Sequence, residues 1–573
     1  MQEIAKAIRL LAEGNKIIAE GAGACPVAAA LNDMCGKEAK KIVCVVCGGG
    51  IDSDKLATIL QGNVPENSSK DDDSKDFDKR VKKLNLTLPT APEPKGCYTP
   101  AVIIDNFLYT SGHGPVLPDG KSYITGRIGD EMTVETGIEA ARATGLAILA
   151  TLQYKLGTLN RVKRLVKSLG MVNANPEAIK ELQCVKIING YSQLMMDVFG
   201  EEAGVGTRSA IGVSTLPVNT PVEIEAVFEL TSHVSLPRSI SQDWNLDSKI
   251  NKMELVLPKP SKPAGSYTPA VIVNGYIYTS GHGPAFPDGK TFTQGQVGTE
   301  ISVMEGIDAA RATGLSMLAT LQNTLGSLNS IKRVVKTLGL VNADPTIIKH
   351  LECVQIVNGF SQLMAEVFGY ENGIGARSAV GVTSLPFNIP VEIEAIFELE
   401  VNVKMLKSIF QVKEDVDFDT KLFELGLILP PPPSPGGCYT PAVITNNHIY
   451  VSGHVPLLKD GKTMVKGQLG VEVDIEEAQN AAKYVGLAIL STLKNKLGSL
   501  NRIKRLVKVL GMVNGKRDSI LQRECVIVIN GFSQLMLNVF GEDCGIGARS
   551  AFGNGVLPNN IPVKIEAIFE LKD

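Results

Sequence analysis

A block of about 170 residues occurs three times in succession, and this repetition limits the possible folds more than any other feature of the chain. Tyr-Thr-Pro-Ala-Val begins at Tyr98, Tyr267 and Tyr439, and an Arg-Ser-Ala follows each start by 110 residues, at Arg208, Arg377 and Arg549. No copy carries a net insertion across that span. The period is too long for a solenoid unit and has the size of a whole domain. Three like domains are therefore expected at 77–230, 243–400 and 417–573, with connectors at 231–242 and 401–416. Pro430 to Pro433 form a stiff, extended lead into the third. Residues 1–61 are unlike the repeats, and the polar stretch 62–76 that joins them to the first has the composition of a disordered linker.

The pattern within a repeat is mixed. In the first, Ala101–Ser111 reads as a strand pair turning at Asp105-Asn106, and Val134–Leu156 has helical spacing with Gly157 as its stop. Val162–Val172 is β-branched and strand-like, and Ile188–Phe199 reads as a second helix. Ser209–Thr215 and Val222–Leu230 then read as a hairpin across Leu216-Pro217-Val218-Asn219. This order predicts an α+β domain. The N-terminal segment differs: a helix over Ile4–Gly14, the stretch Glu20-Gly21-Ala22-Gly23-Ala24 with an Ala-rich helix, an apolar strand Lys41–Cys47, three glycines, and a helix from about Asp52. That is one strand of an α/β domain, too little to bury its own core.

Composition removes several function classes. With 44% apolar and 20% charged residues the chain is globular. A net charge of −3 supplies no general attraction to nucleic acid or anionic membrane. No apolar run reaches the roughly 18 residues of a membrane helix, and the N-terminus lacks a signal-type apolar core. Ten thinly spread cysteines fit reduced thiols, so a cytoplasmic location is expected.

The repeated arginines are the leading site candidates. A guanidinium offers a planar fork of donors that fits a carboxylate, although a structural ion pair at a strand end would place an arginine equally well. Fifteen residues later stand Glu223 and Glu392, and strand alternation puts Glu223 on the same face as Glu225. Such a carboxylate could hold a water as a base; an exposed strand face is the commoner reason for it. The third copy has Lys564 in its place and keeps only Glu566. Also repeated are the tyrosines Tyr98, Tyr267 and Tyr439, a Ser-Gly-His at Gly112, Gly281 and Gly453, and an Asn-Gly at Asn189, Asn358 and Asn530. The histidines His113, His282 and His454 more simply satisfy local hydrogen bonds than bind metal. The basic run Arg161–Lys167 reads as a solvated strand or helix end.

These motifs, in this order, resemble the Rid family of reactive intermediate deaminases, also called the L-PSP endoribonuclease family. The resemblance covers all three repeats. It implies a chorismate-mutase-like fold, a trimer with a site at each subunit interface, and hydrolysis of enamines and imines such as 2-aminoacrylate to 2-oxo acids and ammonia, with no cofactor. It assigns carboxylate binding to Arg208, Arg377 and Arg549, water positioning to Glu223 and Glu392, and substrate contact to Tyr98, Tyr267 and Tyr439, Gly112, Gly281 and Gly453, and Asn189, Asn358 and Asn530. Two departures mark a side branch: alanine (Ala210, Ala379, Ala551) replaces the family's usual cysteine after Arg-Ser, and Ser-Gly-His replaces Ser-Gly-Gln. With Lys564 beside Arg549 in sequence, the third site is expected to be weak. One chain with three copies can mimic the trimer as a closed pseudo-threefold ring.

Residues 1–61 resemble the end of the catalytic domain of fold-type II PLP enzymes, the serine/threonine dehydratases, through Glu20–Ala24 and Ile42–Asp52. There Cys47 matches the residue that bonds the PLP ring nitrogen. The Schiff-base lysine and the phosphate loop of that family are absent, so PLP is expected only if a complete domain precedes Met1. Cys44 and Cys47 have CxxC spacing, but on a strand their thiols face opposite sides. A dehydratase is the expected partner, since it releases the substrates the Rid family consumes. Two other readings stay open: a ligand-binding or regulatory protein that keeps the fold without catalysis, and an endoribonuclease or RNA binder.

Overall fold

The structure, a computed structural model, describes residues 2–15, 21–31, 56, 59–61, 76–179, 182–231, 245–400 and 417–572. The expected strand Lys41–Cys47, the glycine triplet and Cys47 lie outside them. The chain divides into two compact units, Met1–Asp76 and Phe77–Asp573. In the first, helices Gln2–Asn15 and Gly21–Leu31 share a small core of Ala7, Ile8, Leu11, Ala24, Ala28 and Ile59. The Gly-Ala stretch thus belongs to the second helix rather than leading into it.

The second unit holds the repeats, each an α+β layer of one five-stranded mixed sheet and two long helices. The strands are β1 (Ala101–Ile104), β2 (Phe107–Thr110), β3 (Val162–Asn173), β4 (Thr207–Val213) and β5 (Val222–Leu230), in spatial order β1-β2-β5-β3-β4. The second repeat has β6 (Ala270–Val273), β7 (Tyr276–Thr279), β8 (Ile331–Asn342), β9 (Ala376–Val382) and β10 (Val391–Leu399). The third has β11 (Ala442–Thr445), β12 (His448–His454), β13 (Ile503–Asn514), β14 (Ala548–Asn554) and β15 (Val563–Leu571), and both follow the same order.

The strand pair β1–β2 forms as expected, with Asp105 at the turn in the left-handed region (φ 52°). Helix Val134–Leu156 starts on a Thr133 capping box and ends on Gly157 at φ 78°, a conformation that costs a glycine little. The second helix is longer than its apolar spacing suggested, Gln183–Gly204, and breaks locally at Gly200.

The expected hairpin between β4 and β5 does not form. β4 runs parallel to β3, with Ser168 opposite Arg208, and β5 lies between β2 and β3, antiparallel to both. Val222, Ile224, Ala226 and Phe228 alternate along β5 and are all buried in the repeat's core, and the strand is hydrogen-bonded along both of its sides. The helix Gln183–Gly204 then carries the chain from β3 back to a parallel β4 at the edge.

That edge meets the next repeat. Thr99 N–H donates to Gly375 O (3.1 Å), Thr268 N–H to Gly547 O (3.1 Å) and Thr440 N–H to Gly206 O (3.0 Å), so the first repeat joins the second, the second the third, and the third the first. The sheet faces away from the helices share cores drawn from all three repeats, one holding Leu169, Leu338 and Leu510, another Val166, Val335 and Val507. A fully buried side chain of this size contributes about 1.5–3 kcal/mol, so a single repeat would leave a large apolar face uncovered.

The basic run is a solvated strand end only at Lys163, which is exposed; its other cations are partly buried, and the run is engaged in ion pairs. Lys163 and Arg164 pair with the buried Glu229 at 2.7 and 2.8 Å, and Lys167 pairs with Glu566 of the third repeat. The equivalent pairs Lys336–Glu225 and Lys508–Glu394, both 2.7 Å, cross the other two seams. Among the described residues one helix, Glu524–Gly545, is long and apolar enough to cross a membrane; its apolar side packs in the core of the third repeat.

Candidate active sites at the seams between repeats

Arg208, Arg377 and Arg549 stand one residue into the edge strands β4, β9 and β14, each 3% exposed. Their own repeat holds them. Arg377 Nη1 donates to Asn358 Oδ1 (2.9 Å) and Ser361 Oγ (2.9 Å), and Nη2 to Val354 O (3.3 Å). Arg208 is tied in the same way to Asn189, Ser192 and Val185, and Arg549 to Asn530 and Ser533. Among the described residues Arg549 Nη2 is buried without a partner, and none of the three guanidiniums makes an ion pair with a carboxylate.

The opposite wall comes from the preceding repeat in the ring. Tyr98 lies under Arg377 with the guanidinium carbon 4.8 Å from its ring centre, Tyr267 under Arg549 (4.5 Å) and Tyr439 under Arg208 (4.8 Å), an arrangement of cation over aromatic face. Each asparagine also accepts a neighbour's backbone N–H, from Cys97 (2.9 Å), Ser266 (3.3 Å) or Cys438 (3.2 Å). The asparagine thereby fixes the arginine and latches the seam with one oxygen. Ser111 Oγ accepts from Arg377 N–H (2.8 Å), and Gly112 N–H donates to Arg377 O (3.1 Å).

The glutamates sit on the same wall as the tyrosines. Glu223 lines the Arg377 seam and Glu392 the Arg549 seam, both 6% exposed and so not on the solvated strand face that alternation allowed. Gly112 and Gly281 lie against them, and a Cβ at either would run into the carboxylate as it is placed. Burial, then the like charge of Glu225 or Glu394, pushes each carboxyl up to about 8, against the pull of a lysine and of the seam arginine. The pairing implied by sequence proximity is therefore corrected. Arg377 faces Glu223 and Arg549 faces Glu392, while Lys564 shares the remaining seam with Arg208, not with Arg549.

The Ser-Gly-His histidines are structural. His113 Nδ1 bonds Ser111 O and Nε2 bonds Thr151 Oγ1, both at 2.8 Å, which occupies both ring nitrogens; His282 and His454 repeat this with Thr320 and Thr492. Burial lowers all three to about 4.

Several rim residues carry no repeated motif. The Arg377 seam is rimmed by Lys95, Tyr123, Val218 and Leu351 around a cavity of about 40 Å³. The Arg549 seam has Phe292, Phe387 and Arg523 at the corresponding places and a cavity of about 720 Å³. Phe292 and Phe387 stack at 6.1 Å, and Arg523 lies 6.0 Å from the Phe387 ring centre. Val218 and Phe387 both hold positive φ, 59° and 60°, an unusual state for such side chains. These places are the ones at which the aligned copies differ, Tyr123 against Phe292, Val218 against Phe387 and Leu351 against Arg523.

A family model described as "YjgF/chorismate_mutase-like, putative endoribonuclease" matches residues 78–230, 247–397 and 419–571. The chain belongs to the YjgF, or Rid, family. One YjgF repeat spans most of each relative. Protein TCP17 of Trypanosoma cruzi is 38% identical over 152 residues, 26% of this chain and 92% of that protein. The Atu1372 protein of Agrobacterium tumefaciens is 36% identical, covering 27% of this chain and 94% of that one with a TM-score of 0.24. A Shewanella oneidensis protein, called a "putative endoribonuclease", is 31% identical with 27% and 99% covered and a TM-score of 0.26.

Proposed function

We propose that two of the three seams hydrolyse 2-imino and 2-enamino acids to 2-oxo acids and ammonia. The observation that carries this reading is a buried guanidinium lacking a carboxylate partner, set across each seam from a buried carboxyl: Arg377 with Glu223, and Arg549 with Glu392. A buried cation of this kind invites an anionic ligand, and the planar fork suits a carboxylate. The substrate carboxylate on the arginine places its C2 toward the glutamate.

The ionised glutamate accepts a proton from water as the water oxygen bonds to C2 and the C=N electrons move to nitrogen. The protonated glutamate returns that proton to nitrogen to give a carbinolamine; the carboxylate then takes the carbinolamine hydroxyl proton and passes it to nitrogen as well, so that the C–N bond breaks as the C=O bond forms and ammonia leaves. A carboxyl that titrates near the working pH suits both halves of this exchange. The wider rim of the Arg549 seam suits larger side chains than the Arg377 seam.

A serine/threonine dehydratase is the chemical source that fits as a partner. The resemblance of residues 1–61 to such enzymes supports this, with Cys47 outside the described residues and no step here drawing on PLP. The single chain supplies all three seams, so we read it as working without a second copy. RNA cleavage has less support, because the repeated basic residues are engaged in ion pairs with Glu229, Glu398 and Glu570. The test is ammonia and 2-oxo acid release from freshly generated 2-aminoacrylate. Arg377→Met with Arg549→Met should lower it by about two orders of magnitude or more; wild-type rates in that variant would refute the proposal.

A further inference from the structure

We propose that Lys564 is a carbonyl-capturing amine, and that the third seam binds 2-oxo acids covalently and reversibly as a Schiff base. This rests on reading Arg208 as a carboxylate clamp.

Lys564 occupies on β15 the place that Glu223 and Glu392 hold in the other copies, and it is 5% exposed. Its Nζ donates to the Ala210 carbonyl at 3.1 Å, and among the described residues it makes no ion pair. The nearest carboxylate along its strand, Glu566, is engaged by Lys167 and by the hydroxyl of Ser209. Gly453 leaves room for the stem: a Cβ there would strike the Lys564 side chain and lie 2.6 Å from Ser209 Oγ. Across the seam Arg208 lies over Tyr439, which is half-buried, as is the adjacent Cys438.

An ammonium without a counter-charge in such a place is costly. Burial, and then Arg208, lower Lys564 to about 8, with Glu566 and Cys184 opposing. A lysine desolvated beside another cation is a usual way to obtain a nucleophilic amine near neutral pH. The same arginine that discourages the charge would hold the carboxylate of the incoming acid.

The step balances without a further reagent. The amine lone pair attacks C2 of the 2-oxo acid to give a carbinolamine. The former carbonyl oxygen leaves as water with the two amine hydrogens, so a C=N bond replaces the C=O bond. The adduct is itself an N-substituted 2-imino acid, the class of compound the other two seams are read as hydrolysing. Here the glutamate that would deliver water is the lysine itself, so the adduct persists. The third seam would thus bind the products of the other two.

The full chain, incubated with pyruvate and sodium cyanoborohydride at mildly alkaline pH, tests this by intact mass and peptide mapping. One adduct per chain is expected at Lys564, with the mass of pyruvate less one oxygen. Lys564→Met and Lys564→Arg should abolish it, and acetone, lacking a carboxylate, should label at least tenfold more slowly. Absence of label on Lys564, labelling at other lysines only, or equal labelling by acetone would overturn the proposal. Imine hydrolysis measured on the same wild-type sample separates the two readings: hydrolysis without capture discards only the Schiff base, and equal acetone labelling removes the clamp on which both rest.

Discussion

Two double variants distinguish seams built between repeats from sites built within one. Glu223→Gln removes the carboxyl of one seam, and the structure assigns that seam's arginine to Arg377, in a different repeat. Adding Arg377→Met should therefore cost nothing more, because both changes fall in one site, and the Arg549–Glu392 seam should continue at its own rate. Adding Arg549→Met instead strikes the second seam. Loss of a general base or its partner clamp costs about 10²–10⁴-fold, and independent sites lose activity independently, so that variant should fall to about a hundredth of wild type or below. The seam itself should survive, since Asn358 still accepts from Cys97 N–H at 2.9 Å when the guanidinium is gone. The assay is ammonia release from 2-aminoacrylate with folding checked by circular dichroism. Sites built from Arg208 with Glu223 and Arg377 with Glu392 would give the reverse order, an inactive Glu223→Gln/Arg377→Met, and that result would refute the assignment.

The carboxyls raised to about 8 make activity and stability move in opposite directions with pH. kcat/KM should rise through about 8 as the base form appears. The stability these two groups contribute should be fully present below the ordinary carboxylate pKa and be lost as pH rises through about 8, because between those values the folded state holds protons that the unfolded chain has lost. Glu223→Gln with Glu392→Gln should then be more stable than wild type to chemical denaturation above pH 8, by at most about 5 kcal/mol for each glutamate; equal denaturation curves would contradict this. Val218→Asn, relieving a β-branched residue at φ 59°, should stabilise by about 1 kcal/mol in chemical denaturation. Glu225→Ala leaves the buried Lys336 without its 2.7 Å partner and should cost about 3–5 kcal/mol.

Local elements were legible where local chemistry decides them. The Asp105 turn, the helix Val134–Leu156 with its Gly157 stop, and the strand beginning at Val162 follow from turn propensity, spacing and capping. The false hairpin arose because β4 and β5 are adjacent in sequence and joined by a turn-like segment. Their true partners are fixed by the apolar face of β5 and by the crossover helix, which no local pattern records. The site was legible as a set of residues at the interfaces of a ring of repeats, but not in its pairing of arginine with glutamate or lysine. Arg208 and Glu223 lie fifteen residues apart in sequence, yet the ring gives Glu223 to Arg377 and Lys564 to Arg208. Rim residues such as Lys95 and Arg523 were missed because what distinguishes them is variation between copies, whereas the motifs were found by their sameness.

In the proposed reaction two buried glutamates, each facing the next repeat's arginine, carry the hydrolysis. Ammonia release from 2-aminoacrylate by the folded Glu223→Gln/Glu392→Gln protein tests it most directly. A loss of about two orders of magnitude or more is expected, with Lys564 and the third seam unable to compensate; release at the wild-type rate would contradict the role of the glutamates.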